Sequence, residues 1–390
     1  MFAVLSTARK VWTLITMSAA AVALSACEPV ATGGSGSPSV TSGEAVQVAL
    51  LLPSGSAGDD VLARSLKQAA ELAIRDLNGA KINLRVYDAG AGAGSGAAAA
   101  TKAVAEGAKV ILGPVYAETA NAAGLAVASK GVNVLSFSNN TDIAGGNVFV
   151  LGPTFQNTAN RLVGYAASQG KRNILIVHEN NPAGNLGARA IANAARKSSV
   201  QVGGTIGYDF SQQGVMQTVP SIVAQQRATG ANAVFFTADT AGALPLLTQL
   251  LPEQGLSNST AQFAGLTRWD LPSATLALPG VQGGWFALPD PGLTSQFNAR
   301  YQQAYGQAPH PIAGLAYDGI AAIGALVRSG RKDALSRAAL TQGSGFAGVN
   351  GVFRLLPDGS NERGLAVATI RNNQVVVIDA APRSFGGTGL

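Results

Sequence analysis

Apolar runs and helix-like amphipathic segments alternate along this chain from about residue 45. The first run, VQVALLLP (Val46–Pro53), is continuously hydrophobic and ends at a proline, which is typical of a parallel strand buried on both faces. The next segment, RSLKQAAELAIRDLNG, has apolar residues at helical spacing and a glycine, Gly79, beyond its end. The alternation continues through INLRVYD, AAAATKAVAEG, KVILGP, ETANAAGLAVASKG and VNVLSFS. This order predicts a parallel sheet covered by helices.

A second series of the same kind follows residue 157. It begins with helix-like TANRLVGYAASQG and strand-like NILIVHE, and it ends with helix-like AGALPLLTQLLPEQG and strand-like AQFAGL. Two segments rich in Gly and Pro, 149–157 and 279–292, flank this series and are typical of crossings between lobes. The predicted fold class is therefore α/β, with two doubly wound parallel-sheet lobes joined by a multi-strand hinge.

The remaining segments complete the predicted domain organisation. Helix-like TSQFNARYQQAYG and IAGLAYDGIAAIGALVRSG precede three strand-like runs near the C-terminus. We assign residues 45–152 and 282–345 to the first lobe, and residues 153–281 and 346–380 to the second. Residues 381–390 are predicted to be a flexible tail.

The loops after the predicted strands should line a cleft between the lobes, because ligands of open α/β sheets bind at the carboxyl ends of strands. The polar and aromatic side chains of these loops are the candidate ligand contacts: Ser54, Tyr116, Ser136, Ser138, Asn139, Asn140, His178, Asn180, Asp239, Arg268 and Trp269. The run Arg268-Trp269-Asp270 offers a cation, a stacking ring and an acceptor together. For two of these residues an alternative to ligand contact stays open. Trp269 could instead pack in a core, and His178 could instead form hydrogen bonds with its neighbours at a strand end.

The residue inventory argues against several other functions. The chain has two histidines and one cysteine, with no zinc-type spacing, no G-x-S-x-G elbow and no Walker-type phosphate loop, so we predict no enzyme, no metal and no cofactor. The Gly-rich stretch 88–100 does not match a dinucleotide loop and is better explained as a flexible loop leading into a helix. The net charge of +6 is spread along the chain, without a basic run interleaved with aromatic residues, so nucleic acid is not expected as a partner.

The single cysteine closes a secretion-type N-terminus. Residues 1–26 form the predicted signal peptide, with Arg9 and Lys10 before the apolar segment 11–24. The sequence Leu-Ser-Ala-Cys at 24–27 resembles the bacterial lipoprotein box, which implies cleavage before Cys27 and its acylation. Residues 27–44 are rich in Gly, Ser and Pro and would form a flexible linker to the membrane. Glu28, rather than an aspartate, follows the cysteine, which favours the outer over the inner membrane as the periplasmic anchoring site.

Several motifs resemble the leucine/branched-chain-type periplasmic binding proteins. They are ALLLPSGSAGD, VILGPVYAETANAA, NVLSFSNNTD, ILIVHENNPAGNLGA and AGLAYDGIAAIGAL, spread over residues 46–380. The resemblance implies a clamshell in which the two lobes hold an amino acid, and it adds Tyr317 and Asp318 to the candidate contacts. It places Ala117 and either Ser138 or Asn140 at the carboxylate-binding positions, and Ala183 at the position of an aromatic residue.

A narrower resemblance concerns FAGLTRWD and GFAGVNGVFRLLPDGSNERGLAV, which are similar to lipoproteins known as penicillin-binding protein activators. Two functions are therefore expected. In the first, a small polar, amino-acid-like ligand is captured for an ABC permease. In the second, the protein contacts a peptidoglycan synthase and the cleft is vestigial or regulatory. A cleft enzyme is a third, weaker hypothesis.

Overall fold

Two sheets organise residues 38–385, the part of the chain that the computed structural model describes. The first sheet is fully parallel and has the strand order β2-β1-β3-β4-β5. Its strands are β1 (Val46–Leu52), β2 (Ile82–Asp88), β3 (Val110–Leu112), β4 (Asn133–Ser136) and β5 (Val148–Val150). Strand β1 lies inside the sheet between β2 and β3 and is buried on both faces, as predicted, with Leu50 and Leu51 fully inaccessible to solvent.

Helices cover both faces of this sheet. Helix α1 (Ala57–Asp76) packs on one face, and α2 (Ala93–Ala105) and α3 (Ala117–Val127) pack on the other. Helix α1 begins where Ser56 accepts a hydrogen bond from the backbone of Asp59 (3.1 Å), and it buries the stripe predicted from its spacing. The Gly-rich stretch is a loop only as far as Gly92. Gly96 then allows α2 to approach α3, because a Cβ there would lie 2.5 Å from Thr119 Cγ2.

The second sheet begins with five parallel strands. They are β6 (Asn173–Glu179), β7 (Gln201–Tyr208), β8 (Ala233–Phe236), β9 (Gln262–Gly265) and β10 (Trp285–Leu288), in the order β10-β9-β8-β6-β7. Helices α4 (Phe155–Ser168) and α5 (Pro182–Lys197) pack on one face, and α6 (Gln212–Thr229) and α7 (Leu244–Glu253) pack on the other.

The C-terminal third returns to the first lobe and then rejoins the second. Helices α8 (Pro291–Tyr305) and α9 (Gly314–Arg328) pack with α1, and the short α10 (Arg337–Leu340) follows. An antiparallel three-stranded sheet comes next: β11 (Phe346–Gly348), β12 (Gly351–Leu355) and β13 (Asn361–Arg363). Strands β14 (Ala366–Arg371) and β15 (Gln374–Asp379) extend the second sheet beyond β10: β14 pairs with β10 in antiparallel fashion, and β15 pairs with β14 in the same way.

The lobe boundaries differ from those predicted. The predicted return to the first lobe at residue 282 is wrong, because β10 lies inside the second sheet between β9 and β14. The chain crosses after Leu288 instead. Assignment of all of 346–380 to the second lobe is also wrong, because Phe346 and Phe353 pack in the core of the first.

Both ends of the described chain are packed. Val40 is 3% exposed and its backbone N–H donates to the carbonyl of Lys332 (2.9 Å), so the predicted flexible linker 27–44 is wrong for the part around Val40, which packs against the first lobe. At the other end Ala381 is buried, and Phe385 lies under the guanidinium of Arg354, so the predicted tail at 381–390 starts too early. The signal peptide, Cys27 and residues 386–390 lie outside the described residues.

The chain crosses between the lobes at 151–154, 289–290 and 364–365, and hydrogen bonds join the first and the third of these crossings. Asn361 donates to the carbonyls of Val150 (2.7 Å) and Gly152 (2.9 Å), which ties the third crossing to the first. Arg363 donates from Nε to the carbonyl of Leu151 (3.0 Å) and pairs with Asp318 of α9 (3.1 Å). The side chains of Arg363 and Asp318 are 4% and 0% exposed, so this ion pair is buried beside the first crossing.

Acidification should destabilise the protein through His310. This residue is half-buried between α8 and α9, and its Nδ1 accepts from the backbone of Ile312 (3.4 Å). Burial lowers the pKa of His310 from its ordinary 6.5. Its contribution to stability is therefore complete above the unfolded-state pKa and is lost as the pH falls through the lower folded-state pKa. Urea unfolding should give a lower free energy of unfolding at pH 5 than at pH 7, and this difference should be smaller in His310→Gln. An equal difference in the two proteins would contradict the role given to His310.

Candidate functional site

The strand ends of the first lobe form one polar edge. Ser54, after β1, donates from Oγ to Asp88 Oδ1 at the end of β2 (2.6 Å), and the Tyr116 hydroxyl, after β3, donates to Asp59 Oδ1 at the start of α1. The hydrogen bonds from Tyr116 and Ser56 lower the pKa of Asp59, and those from Ser54 and the Gly90 N–H lower the pKa of Asp88. Both carboxylates are therefore charged at neutral pH.

The loop after β4 uses most of its polar groups to hold its own shape. Ser136 is fully buried, donates to the carbonyl of Pro114 (2.9 Å) and accepts from the Ser138 N–H (3.1 Å). Ser138 accepts in turn from the Asn140 N–H (3.1 Å), and Asn140 caps the following turn by accepting from Asp142 N–H (2.9 Å). Asn139 is exposed. Ser136 thus has a structural role, and Asn139 and Asn140 are the predicted residues of this loop that present polar side chains at its surface.

The strand ends of the second lobe carry a row of acidic and amide side chains. His178 is half-buried, with Nδ1 3.0 Å from the carbonyl oxygen of Glu179. Asn180 is exposed and donates from Nδ2 to Asp209 Oδ1 (2.9 Å), which connects the ends of β6 and β7. Asp239, after β8, is exposed at the same edge. The structure brings these three predicted residues together.

A cavity of about 350 Å³ is lined by both lobes. The first lobe contributes Asn140 and Asp142, and the second contributes residues of the first two turns of α5: Pro182, Ala183, Asn185, Leu186 and Arg189. Helix α5 begins there because Asn181 accepts from the Gly184 N–H (2.7 Å) and Pro182 occupies the first turn. The sequence analysis missed Asp142, Asn185 and Arg189 because it considered only the loops directly after the strands. Asn185 and Arg189 are four residues apart and so share one face of α5, and this spacing next to a strand-end loop is the signal that would have found them.

The residues 268–270 do not form the predicted ligand-binding cluster. Trp269 is fully buried in the core of the second lobe, so the alternative prediction of core packing is the one that holds. Arg268 donates from Nε to Asp270 Oδ1 (2.6 Å), so its charge is already compensated within the loop.

Tyr317 and Asp318 also lie away from the strand ends. The Tyr317 hydroxyl donates to Asp76 Oδ2 (2.6 Å), and its ring packs against Phe297. Burial and the bond to Asp76 raise the pKa of Tyr317 to about 12. Asp318 accepts from the Val349 N–H (2.8 Å), from Asn350 and from Arg363, which makes it a hinge residue rather than a ligand contact.

Residues 38–385 contain no group of three or more His, Cys, Asp or Glu residues arranged to hold a metal ion. No helix in this range combines the length and the hydrophobicity that a membrane crossing requires.

Comparison with known proteins agrees with the two-lobe architecture. The model of the family described as periplasmic binding protein matches residues 45–374. No curated protein matches the chain significantly.

Three similar solved structures illustrate the fold. One is a branched-chain amino acid ABC transporter periplasmic ligand-binding protein from Burkholderia xenovorans, 19% identical, with a TM-score of 0.67 over 88% of this chain and 97% of that one. Another is an ABC transporter substrate-binding protein from Desulfitobacterium hafniense in complex with Leu, with 20% identity, a TM-score of 0.62 and coverage of 86% and 100%. The third is an ABC transporter solute-binding protein from R. palustris in complex with benzoate, with 17% identity, a TM-score of 0.56 and coverage of 89% and 99%.

These likenesses confirm the predicted fold class, and the family match covers most of the chain. They support a binding protein rather than an enzyme. The chain belongs to the periplasmic binding protein family.

Proposed function

We propose that this protein is an extracytoplasmic solute-binding protein that captures a small polar ligand between its lobes and delivers it to an ABC importer. The observation that carries the proposal is the cavity lined by Asn140 and Asp142 of one lobe and by α5 of the other. A ligand that contacts both lobes stabilises the closed arrangement, because its affinity for that state exceeds its affinity for the open one. The solved structures with leucine and with benzoate support a small organic ligand.

The proposal includes a lipid anchor at Cys27. It is supported by the signal-type segment 1–26 and by the small residues before the cysteine. An acylated N-terminus followed by a flexible linker would hold the lobes on the periplasmic side of a membrane. Glu28 favours the outer membrane.

A ligand screen by thermal unfolding tests the proposed function. Each amino acid and a set of aromatic carboxylates are added to the mature protein. A ligand at 100 times its dissociation constant should add about 2.7 kcal/mol of stability. The shift should be lost in the double variant Asp142→Asn with Arg189→Gln, which keeps the volume at position 142, shortens the side chain at position 189 and removes the charges from the two sides of the cavity. The matched surface variant Arg331→Gln should keep it.

A second candidate function is activation of a peptidoglycan synthase. It is favoured by Ala117 at the start of α3 and Ala183 at the interlobe cavity, since methyl groups stand where the family resemblance implies a hydroxyl and an aromatic ring. In that case the thermal screen should show no shift with any solute, and a purified synthase domain should bind the protein directly. A solute-induced shift without synthase binding would reject this candidate.

A further inference from the structure

Positive side chains gather where the parallel strands of the first lobe begin. The segments that precede these strands are 38–45, 76–81, 105–109, 128–132 and 143–147, and segment 328–335 lies against them. Together they hold five cations that form no salt bridge with any residue of the range 38–385, and we call these five the basic edge: Lys81, Lys109, Lys130, Arg328 and Lys332. Lys109 is half-buried and the other four are exposed.

Three of the five follow the order of the strands in the sheet. The carbonyl of Lys81, just before β2, accepts from the Val46 N–H (2.9 Å), and the Lys109 N–H, just before β3, donates to the carbonyl of Gln47 (2.9 Å). The two lysines therefore flank the start of β1. Lys130 comes shortly before β4, the neighbour of β3 on its other side.

The segment after α9 brings the other two cations to the same edge. The side chain of Arg328 lies beside the turn before β2, since a Cβ placed at Gly79 would be 3.9 Å from its Cδ. Further along the segment, Asn133 at the start of β4 donates from Nδ2 to the carbonyl of Leu335 (2.8 Å). Arg328 and Lys332 thus extend the row of lysines across the amino ends of the strands.

Few carboxylates oppose these cations. Glu44 is the one acid of the same segments that forms no salt bridge within the described part of the chain. The other three are paired with cations that do not belong to the basic edge: Asp76 with Arg300, Glu106 with Arg85 and Asp333 with Arg331. Five cations against one carboxylate give this end of the lobe a positive potential.

The opposite end of the first lobe carries the opposite charge. The segments after its first four strands, 53–60, 88–92, 113–118 and 137–142, contain no Lys or Arg, and their acids are Asp59, Asp60, Asp88, Glu118 and Asp142. A negatively charged surface would attract the basic edge and repel the end that faces the interlobe cavity. The charge distribution of the lobe therefore favours one orientation on such a surface.

The N-terminal segment joins the lobe at the basic edge. Val40 is buried there, with its N–H on the carbonyl of Lys332. Cys27 lies eleven positions before Pro38, the first described residue, so the link between them spans at most about 40 Å in any conformation. An anchor at Cys27 would keep the basic edge within that distance of the bilayer.

The second lobe has a comparable set of cations where its strands begin, and the exposed ones are Arg172, Arg196, Lys197, Arg227 and Arg371. The N-terminal segment does not join the chain there, because Val40 belongs to the core of the first lobe. Charge alone would not distinguish the two lobes, and the position of the link selects the first.

We propose that the basic edge lies on anionic lipid headgroups of the membrane that holds the anchor. Each Lys or Arg close to an anionic bilayer strengthens binding by about fivefold, and an acyl chain and a basic patch hold a protein on a membrane better than either does alone. In this orientation the acidic end of the first lobe, with the interlobe cavity, faces away from the lipid and stays accessible to solutes. The inference rests on the lipid anchor of the proposed function and adds to it a contact surface and an orientation.

Lysine footprinting on vesicles tests the proposal. Cys27 is the single cysteine of the sequence, so the mature chain can be coupled through its thiol to a maleimide lipid. The vesicles consist of phosphatidylcholine alone or of equal parts phosphatidylcholine and phosphatidylglycerol, and mass spectrometry follows the acetylation of each lysine. On the anionic vesicles Lys81, Lys130 and Lys332 should react at least about threefold more slowly, whereas Lys197 of the second lobe should react equally on both. High salt should remove the difference, because it screens the charges.

Two double variants locate the contact. Arg328→Gln with Lys332→Gln removes two charges from the basic edge and keeps the Lys332 carbonyl that Val40 uses. It should reduce the protection of Lys81 and Lys130 by at least about half. Arg172→Gln with Lys197→Gln removes the same two charges from the second lobe, and it should leave the protection of Lys81 and Lys130 unchanged.

Three results would overturn the proposal and leave solute binding standing, because the thermal screen for solutes involves no lipid. The first is equal acetylation of Lys81, Lys130 and Lys332 on the two kinds of vesicle. The second is an equal slowing of Lys197, which would show that the basic edge is not the preferred contact. The third is binding to isolated cell-wall polymer that depends on Arg328 and Lys332, without slower acetylation on the anionic vesicles.

The anchor itself is checked separately. The intact mass of the mature protein purified from the producing cell shows whether Cys27 is acylated. An unmodified Cys27 would overturn the anchor and the membrane contact together, whereas an acylated Cys27 without protection of the basic edge would overturn the contact alone.

Discussion

Replacing Arg363 with methionine should lower the free energy of unfolding by about 3–5 kcal/mol, because it leaves the Asp318 carboxylate buried without its cation. Both side chains are almost inaccessible to solvent, and Arg363 also donates to the carbonyl of Leu151. Methionine fills a similar volume but supplies no donor. Urea unfolding at neutral pH, followed by far-UV circular dichroism, measures the loss.

A double variant separates the buried charge from the packing. Arg363→Met combined with Asp318→Asn removes the charge, and the amide oxygen can still accept from the Val349 N–H. It should recover at least about 1 kcal/mol relative to Arg363→Met alone. The control is Arg331→Met, whose partner Asp333 lies on the surface with a side chain 56% exposed; it should cost less than about 0.5 kcal/mol. Equal losses for the buried and the exposed pair would contradict this account of the hinge.

Truncating Trp269 to alanine should destabilise the protein by about 3–5 kcal/mol through loss of packing in the second lobe. The indole is fully buried and lies against two glycines: a Cβ at Gly265 would be 1.9 Å from Nε1, and one at Gly284 would be 2.1 Å from Cζ3. No smaller side chain fills that space. Thermal and urea unfolding measure the effect.

The matched control for Trp269 lies two residues away. Leu271 is 50% exposed, so Leu271→Ala should change stability by no more than about 0.5 kcal/mol. The loss of stability in Trp269→Phe should lie between those of Trp269→Ala and Leu271→Ala, since phenylalanine keeps part of the buried aromatic surface. If Trp269→Ala left stability unchanged and reduced ligand affinity instead, the indole would be a ligand contact as the sequence motif suggested.

The sequence predicted the fold class because its strongest signals are local. The apolar run of β1 and the spaced alanines and leucines of α1 identify their elements without help from distant residues. Strand β10 was hidden for the opposite reason. It is only four residues long, Trp285–Leu288, and is bounded by glycines and by Pro289, so it resembles a crossing. Its place in the sheet depends on pairing with β9 and with β14, some 80 residues later in the chain.

The candidate site was less predictable, because the residue type and its position after a strand do not determine where the side chain points. Ser136 follows a strand as a ligand contact would, yet its hydroxyl is used within the loop. Asp318 stands in a motif of the family, but the partner that defines its role, Arg363, is 45 residues away. Asn180 and Asp239 lie at the polar edge because their strands are parallel and end at the same side of the sheet, and their contact with a ligand stays a prediction.

The route of the backbone has a consequence for biosynthesis. The core beneath β1 is closed by Phe297, Ile320 and Phe353, all made after the whole second lobe. A nascent chain would therefore leave one face of its first sheet without α8 and α9 for roughly 10–30 s at ordinary translation rates. During that interval the exposed strand surface would be a natural binding site for a chaperone, and neither lobe could be produced as a fragment cut at a single point.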